Sequence, residues 1–252
     1  MSARTAATSA AADLPAAAWA AALTTLPAMG PARLAALLDR WEPAEAWRAV
    51  VEGRAGAVES VAAACRPDPS GVAAAWARAA NGVDVGAGWQ ALGRAGARVL
   101  LRGADGYPAG LVDDQEAPAV LFSRGDPAIL SARRVAIVGT RQCSRYGADV
   151  ARELGRDLAA AGVVVVSGLA LGVDGAAHAG ALEGHGAPPV AVVGSGLDVV
   201  YPRRHSRLWA EVGERGLLLS EAPLGARPEA WRFPVRNRVI AALAEAVVVV
   251  ES

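Results

Sequence analysis

Apolar residues change their spacing twice along the chain. Over residues 14–80 they recur at intervals of three and four, in LPAAAWAAALTTL, PARLAALLDRW, PAEAWRAVVEG and a stretch around Val61 and Trp76, with Pro31 and Pro43 at first turns. That periodicity predicts a small helical bundle. Residues 81–130 carry Gly82, Gly86 and Gly88, a short run RVLL at 98–101, and Pro108, Pro118 and Pro127. Such punctuation predicts edge strands and turns that extend a sheet, not another helical layer. From residue 133 onward, apolar runs at 135–138, 163–166, 190–193, 217–219 and 247–250 alternate with helical stretches near 146–161, 174–184, 204–215 and 236–245. Valine-rich strands alternating with helices indicate a doubly wound α/β fold on a mostly parallel sheet. The expected organisation is a disordered N-terminus over residues 1–12, an all-α domain over 13–80 and an α/β domain over 81–252.

Each strand of the second domain runs into a loop of glycine, serine and arginine. Loops that follow parallel strands collect on one edge of the sheet, where main-chain N–H groups and guanidinium groups face an anion together. The loop glycines Gly139, Gly168, Gly172, Gly194 and Gly196 fit tight βα turns equally well. Taken with Arg141, Arg145, Arg203, Arg204, Arg236 and Arg238, they favour an anionic ligand. The arginines are spread over several loops and no loop has a dense phosphate cup, which points to a polymer. Gly194 and Gly196 form a GxG after a strand, but Val199 stands where the third glycine of a dinucleotide fingerprint belongs, and no acidic ribose ligand follows.

Composition narrows the chemistry. The net charge is zero, with 25 basic and 25 acidic residues, and every basic residue is arginine. Without lysine there is no P-loop, no pyridoxal Schiff base and no kinase strand lysine. The high alanine and glycine content accounts for that absence as a compositional bias. Two cysteines, Cys65 and Cys143, build neither a disulfide framework nor a zinc site. The alanine-rich start is interrupted by Asp13 and Pro15, which argues against a signal peptide. No helix-length stretch lacks charges or breakers, so the expectation is a cytoplasmic protein with no membrane contact.

Other candidate groups carry less. Asp174 and His178 lie four apart at a helix start, on one face. They lack a third metal ligand, and the simpler reading has Asp174 capping the helix and His178 hydrogen-bonding a neighbouring loop. Cys143 has no histidine placed to activate it. Ser167 and Ser195 follow strands, yet neither sits in a nucleophile elbow. In the bundle, Leu26–Pro31 reads as a tight turn between helices, similar to the hairpin of helix-hairpin-helix and SAM-like modules. Ala28 stands where DNA-contacting hairpins carry glycine, which favours a packing or partner-binding role.

The segments SGLALGVDGAAHAGAL (167–182), VVGSGLDVVYPRRHSRLW (192–209), LLLSEAPLG (217–225) and FPVRNRVIAALAEAVVVVES (233–252) together resemble the DprA/Smf family, the DNA-processing protein A of natural transformation. The segment GYPAGLVDDQEAPAVLFSRGD and the helical N-terminal region resemble it too. The resemblance implies an extended Rossmann-like domain behind a small SAM-like helical domain. It also implies binding of single-stranded DNA, protection of incoming strands, loading of the RecA recombinase and homodimer formation, with no catalytic turnover and no cofactor. By position, the motif residues are Gly139 and Arg141, the loop from Ser167 and Gly168 through Gly172 to Asp174, Gly194, Ser195 and Gly196, Tyr201, Arg203 and Arg204, and Arg236, Asn237 and Arg238. Tyr201 and Phe233 are candidate stacking platforms. Family members continue past the strand that ends this chain, so the second domain reads as C-terminally incomplete. The rival expectation is an enzyme, a nucleotide phosphoribohydrolase of the lysine-decarboxylase-like group, which RNRVIAALAEAVVVV resembles. SGLALGVD, YPRR and FPVRNR favour DNA binding over that reading.

Overall fold

The computed structural model describes residues 14–252, and the segment expected to be disordered, 1–12, lies outside the described residues. The chain forms two compact units, the first running to Ala95 and taking in Pro118–Val120, the second comprising Gly96–Ala117 and Leu121–Ser252. In the first unit the described helices are α1 (Ala16–Thr24), α2 (Pro31–Leu38), α3 (Pro43–Val51), α4 (Glu59–Ala64), α5 (Pro69–Ala80) and α6 (Val85–Arg94). Proline opens α2, α3 and α5 at a position where the missing N–H has no helical partner to lose. Helix α6 falls where only strands and turns were expected, and it moves the division between units beyond residue 80. Asp84 caps it by accepting the Ala87 N–H at 2.9 Å, while Val85 and Leu92 are buried. Three glycines inside the helix, Gly86, Gly88 and Gly93, hide its periodicity in the sequence.

Leu23, Leu37, Val61 and Trp76 are fully buried in this unit. The turn between α1 and α2 is tied down from within. Ala28 adopts the left-handed conformation at φ 53°, the Pro27 carbonyl accepts from Trp76 Nε1 at 3.0 Å, and the Ala28 carbonyl accepts from Arg33 at 2.6 Å.

The second unit holds seven strands: β1 (Arg98–Leu101), β2 (Val120–Gly125), β3 (Arg134–Val138), β4 (Val164–Ser167), β5 (Val190–Val193), β6 (Leu217–Ser220) and β7 (Ala246–Val249). They lie in the order β1-β2-β6-β5-β4-β3-β7. Strands β6, β5, β4, β3 and β7 pair in parallel, and β2 is antiparallel to β6. Helices α7 (Arg145–Ala160), α8 (Val173–Glu183), α9 (Ser206–Arg215) and α10 (Arg232–Leu243) make the crossovers. The strand periodicity of two divides the core. Val164, Val166, Val190, Val192, Leu217 and Leu219 face α10 through Val239, Ile240 and Leu243. Ile137 and Val165 point the other way, onto α7 and α8. From β3 the chain steps outward to β6, then returns through α10 to set β7 on the far side of β3. That reversal opens a crevice at the C-terminal ends of β3 and β7, where open α/β sheets take ligands.

Helices α7 and α8 approach until backbone meets backbone. A Cβ at Gly155 would overlap the Ala177 carbonyl, and one at Gly180 would overlap the Arg152 carbonyl. Because those contacts are main chain, they yield little. Gly180→Ala is therefore expected to destabilise the second unit by about 1–3 kcal/mol, read as a lowered urea midpoint. An unchanged midpoint would show that the helices separate freely.

Candidate nucleic-acid interface

Three segments far apart in sequence meet at the C-terminal edge of the sheet. Arg141, in the loop after β3, places its guanidinium carbon 5.0 Å from the centroid of the Phe233 ring. Phe233, at the start of α10, lies 5.5 Å from the ring of Tyr201, which belongs to the loop after β5. Gly194 makes the room, since a Cβ there would come 3.1 Å from Phe233 Cδ1. The result is a ledge of guanidinium and two rings, with Tyr201 42% exposed. Arg141, Arg145, Arg203 and Arg204 are all exposed and form no ion pair among the described residues.

Two arginines of α10, Arg236 and Arg238, behave otherwise. Arg236 was expected in the ligand site, but it is buried. Its Nη1 donates to the Gly168 carbonyl at 2.6 Å and to the Val192 carbonyl, and its Nε donates to Asn237 Oδ1 at 3.2 Å. Burial lowers its pKa to about 10, with Asp174 opposing the shift. Arg238 is half-buried, pairs with Glu221 at 2.5 Å and donates to the Glu116 carbonyl. Both are tied to other parts of the same chain, so neither offers a free cation. Asn237 between them is exposed.

The serines and most of the glycines serve the loops themselves. Ser167 is fully buried and donates to the Ile137 carbonyl at 2.6 Å; Ser195 donates to the Val199 carbonyl at 2.7 Å and is buried too. Both hydroxyls were expected to face a ligand, and both are turned inward because a parallel strand end has unpaired carbonyls to satisfy. A side chain at Gly168 would strike the Arg236 guanidinium, and one at Gly139 would meet Val173 and the Glu251 main chain. Gly172 has φ +77° with the Thr140 carbonyl against its α-carbon, so only glycine fits without strain. The Gly196 N–H donates to the Ala226 carbonyl at 2.9 Å, which closes the GxG turn against the loop before α10.

Asp174 and His178 depart from expectation. Asp174 lies inside α8, after the N-cap Gly172, and accepts the Gly168 N–H at 3.2 Å, so it clamps the loop from Gly168 to Gly172 in place of capping its own helix. Burial pushes its carboxyl up, and Arg236 offsets that in part. His178 is fully buried, and among the described residues neither ring nitrogen meets a partner in strict hydrogen-bond geometry, although the Ser167 main chain lies near enough to favour its protonated form. Its pKa is driven down to about 3, chiefly by burial, so the ring is neutral. The loop is instead held by His205, whose Nδ1–H donates at 3.0 Å to the carbonyl of Leu169, a buried residue at φ 53°.

The crevice between β3 and β7 is a cleft of about 200 Å³ lined by Val138, Arg141, Asp174, Arg236, Asn237 and Val247 among others. Among the described residues no group of three His, Cys, Asp or Glu is placed to hold a metal ion. No described helix is long and apolar enough to cross a membrane.

The sequence pattern of the DNA recombination-mediator protein A family matches residues 98–252, which is the sheet unit just described. The chain belongs to that family. Similar relatives are the DNA processing proteins DprA of Bacillus subtilis and of Streptococcus pneumoniae. The first is 40% identical over 146 residues, covering 58% of this chain and 49% of the relative. The second is 43% identical over 148 residues, covering 59% and 52%. The chain thus spans about half the length of the curated relatives it matches. Among solved structures, the X-ray structure of DNA processing protein A from Streptococcus pneumoniae superposes with a TM-score of 0.71 at 28% identity, covering 94% of this chain and 77% of that one. DNA processing protein A from Helicobacter pylori, described with a single-stranded DNA binding mode, gives a TM-score of 0.55 at 32% identity over 61% of this chain and 68% of that one.

Two features of the chain were not singled out from its sequence. Trp231, 43% exposed, lies beside the ledge residue Phe233 in sequence, with the Arg232 guanidinium carbon 4.5 Å from its ring centroid. Glu221 follows β6 directly, and a charge at the end of a buried strand is the signal that marks it. Burial pushes the Glu221 carboxyl up to about 7, with Arg238 restraining the rise. Between its ordinary 4.5 and about 7, the folded chain keeps a proton that the unfolded chain has lost, so this group's contribution to stability falls as pH rises. His178 acts in the opposite sense: below about 6.5 the unfolded imidazole takes a proton that the folded one refuses, so stability falls as pH drops toward about 3. Glu221→Gln removes only the first slope. Relative to the unsubstituted chain, the variant should gain stability as pH rises from about 4.5 to about 7, by at most about 1.4 kcal/mol per pH unit. Urea midpoints at a series of pH values read this, and parallel curves for the two proteins would contradict the raised carboxyl.

Proposed function

We propose that this chain binds single-stranded DNA along the C-terminal edge of its sheet, as a cytoplasmic DNA-processing protein of natural transformation, without catalytic turnover or cofactor. Arg141, Arg145, Arg203 and Arg204 neutralise successive phosphates, and Tyr201 and Phe233 offer ring faces to bases. One observation carries this reading: Arg141, Phe233 and Tyr201, drawn from three segments, converge in a single exposed ledge. An unpaired base has a free face, and a duplex base does not, so such a ledge favours single strands with little preference for sequence. Family membership and the single-stranded DNA binding described for the Helicobacter pylori relative support it. Protection of incoming strands, delivery of the coated strand to the RecA recombinase and assembly as a homodimer complete the proposal, on the resemblance alone.

On this reading the exposed arginines carry binding and the buried Arg236 carries the fold. Arg141→Ala should weaken binding of every sequence alike and make the log–log salt slope shallower by about 0.7, the value of one single-strand phosphate. Tyr201→Ala should lose about 1–3 kcal/mol of binding with the slope unchanged. Arg236→Ala should instead cost folding stability, about 3 kcal/mol, because it leaves the Gly168 and Val192 carbonyls without their donor and the buried Asp174 carboxyl without a nearby cation. Titrations of oligonucleotides at several salt concentrations measure the first two, and the urea midpoint measures the third. Equal affinity for duplex and single strand, or no loss in Arg141→Ala and Tyr201→Ala, would refute the proposal. Release of free base from nucleoside monophosphates would establish the enzyme in its place.

A further inference from the structure

In an open α/β sheet, the helix that follows a central strand ordinarily presents its N-terminus to a compact phosphate. Here that helix is α7, and its end is already filled. Glu251, just past β7, reaches across so that its carboxylate accepts the Ser144 N–H at 3.1 and 3.2 Å and the Ser144 hydroxyl at 2.9 Å. Ser144 is the N-cap of α7, and its Oγ in turn accepts the Gly147 N–H at 3.0 Å. The main chain of Glu251 is seated as firmly, with its carbonyl accepting the Thr140 N–H at 2.7 Å. Two glycines make way for it. A Cβ at Gly147 would overlap the carboxylate, and a Cβ at Gly139 would stand 2.7 Å from the Glu251 carbonyl.

We propose that Glu251 is a specificity-determining residue: its carboxylate occupies the N-terminus of α7, denies that end to a compact phosphate or pyrophosphate group, and leaves the edge to extended polyanions gripped by arginine side chains. The helix end satisfies its charge preference internally, and a second anion arriving there meets a like charge and finds the Ser144 N–H and hydroxyl already engaged. The arginines of the loops are untouched by this contact, since Arg141, Arg145, Arg203 and Arg204 form no ion pair with Glu251 or any other described acid. The extension to polyanions rests on the single-stranded DNA reading above; the denial of the helix end does not.

The test uses the full chain and two substitutions. Glu251→Ala vacates the helix end, whereas Glu251→Gln keeps a hydrogen-bond acceptor there and removes the charge. Pyrophosphate binding is measured by calorimetry, and oligo-dT binding by salt titration. Pyrophosphate should bind Glu251→Ala about fivefold more tightly than the unsubstituted chain, the size of one charge at a helix end, with Glu251→Gln in between. On oligo-dT, the Glu251→Ala salt slope should steepen by about 0.7, one further phosphate. Equal pyrophosphate affinity in all three proteins, with circular dichroism showing each folded, would overturn the proposal. So would weaker oligo-dT binding at an unchanged slope in both variants, which would make Glu251 only a support for the loop. If the unsubstituted chain binds no oligo-dT, the DNA reading fails, and the pyrophosphate comparison still decides the role of Glu251. Should Glu251→Ala not fold, Glu251→Gln alone must show the pyrophosphate gain.

Discussion

The buried guanidinium of Arg236 is the constraint around which the ligand edge is arranged. It stands on α10, yet its hydrogen bonds go to the carbonyls of Gly168 and Val192, one just beyond β4 and one within β5. Those carbonyls lie where strand pairing gives out and would otherwise be left without donors. A buried cation is expensive, and the Asp174 carboxylate on α8 offsets it while accepting the Gly168 N–H. The Arg236 guanidinium and the Asp174 carboxylate, both hydrogen-bonded to Gly168, therefore tie α8 and α10 to two strand ends. The start of α10 is thereby fixed, and with it the position of Phe233.

This explains why the edge carries two kinds of arginine. Those on the loops after β3 and β5 are exposed and form no ion pair among the described residues, while Arg236 and Arg238 on α10 belong to the framework. The glycines divide in a comparable way. Gly168 admits the Arg236 guanidinium, Gly194 admits the Phe233 ring, and Gly139 admits the main chain of Glu251. Each works by omitting a side chain beside a neighbour that needs the space, not by offering an N–H to a phosphate.

Much of the fold was legible in the sequence because its signals are local. Continuous apolar runs, of valine in most and leucine in β6, mark β3 to β7, and the alternation with helices gives a mostly parallel α/β sheet, as the seven strands show. Helix α6 escaped because Gly86, Gly88 and Gly93 dilute its pattern, while its cap at Asp84 and its two buried residues are enough to hold it. The convergence of these loops on one edge was legible for the same local reason: loops rich in glycine and arginine follow each strand. Which arginines face outward was not. Residues 236 and 238 sit two apart, with one buried beneath the loops and the other paired with Glu221, and only the crossover from β6 to β7 decides which partners each meets. Asp174 and His178 failed for a related reason, since a four-residue spacing fixes their common helix face but not what that face is pressed against.

The ledge of Arg141, Phe233 and Tyr201 also bears on how the chain matures. Its members come from the loop after β3, the loop after β5 and the start of α10, so no short segment contains it. Contacts between such distant segments form late, once the intervening strands have closed their loops. A partly folded chain thus has the arginines but not the assembled ledge, which is a property of the finished sheet alone.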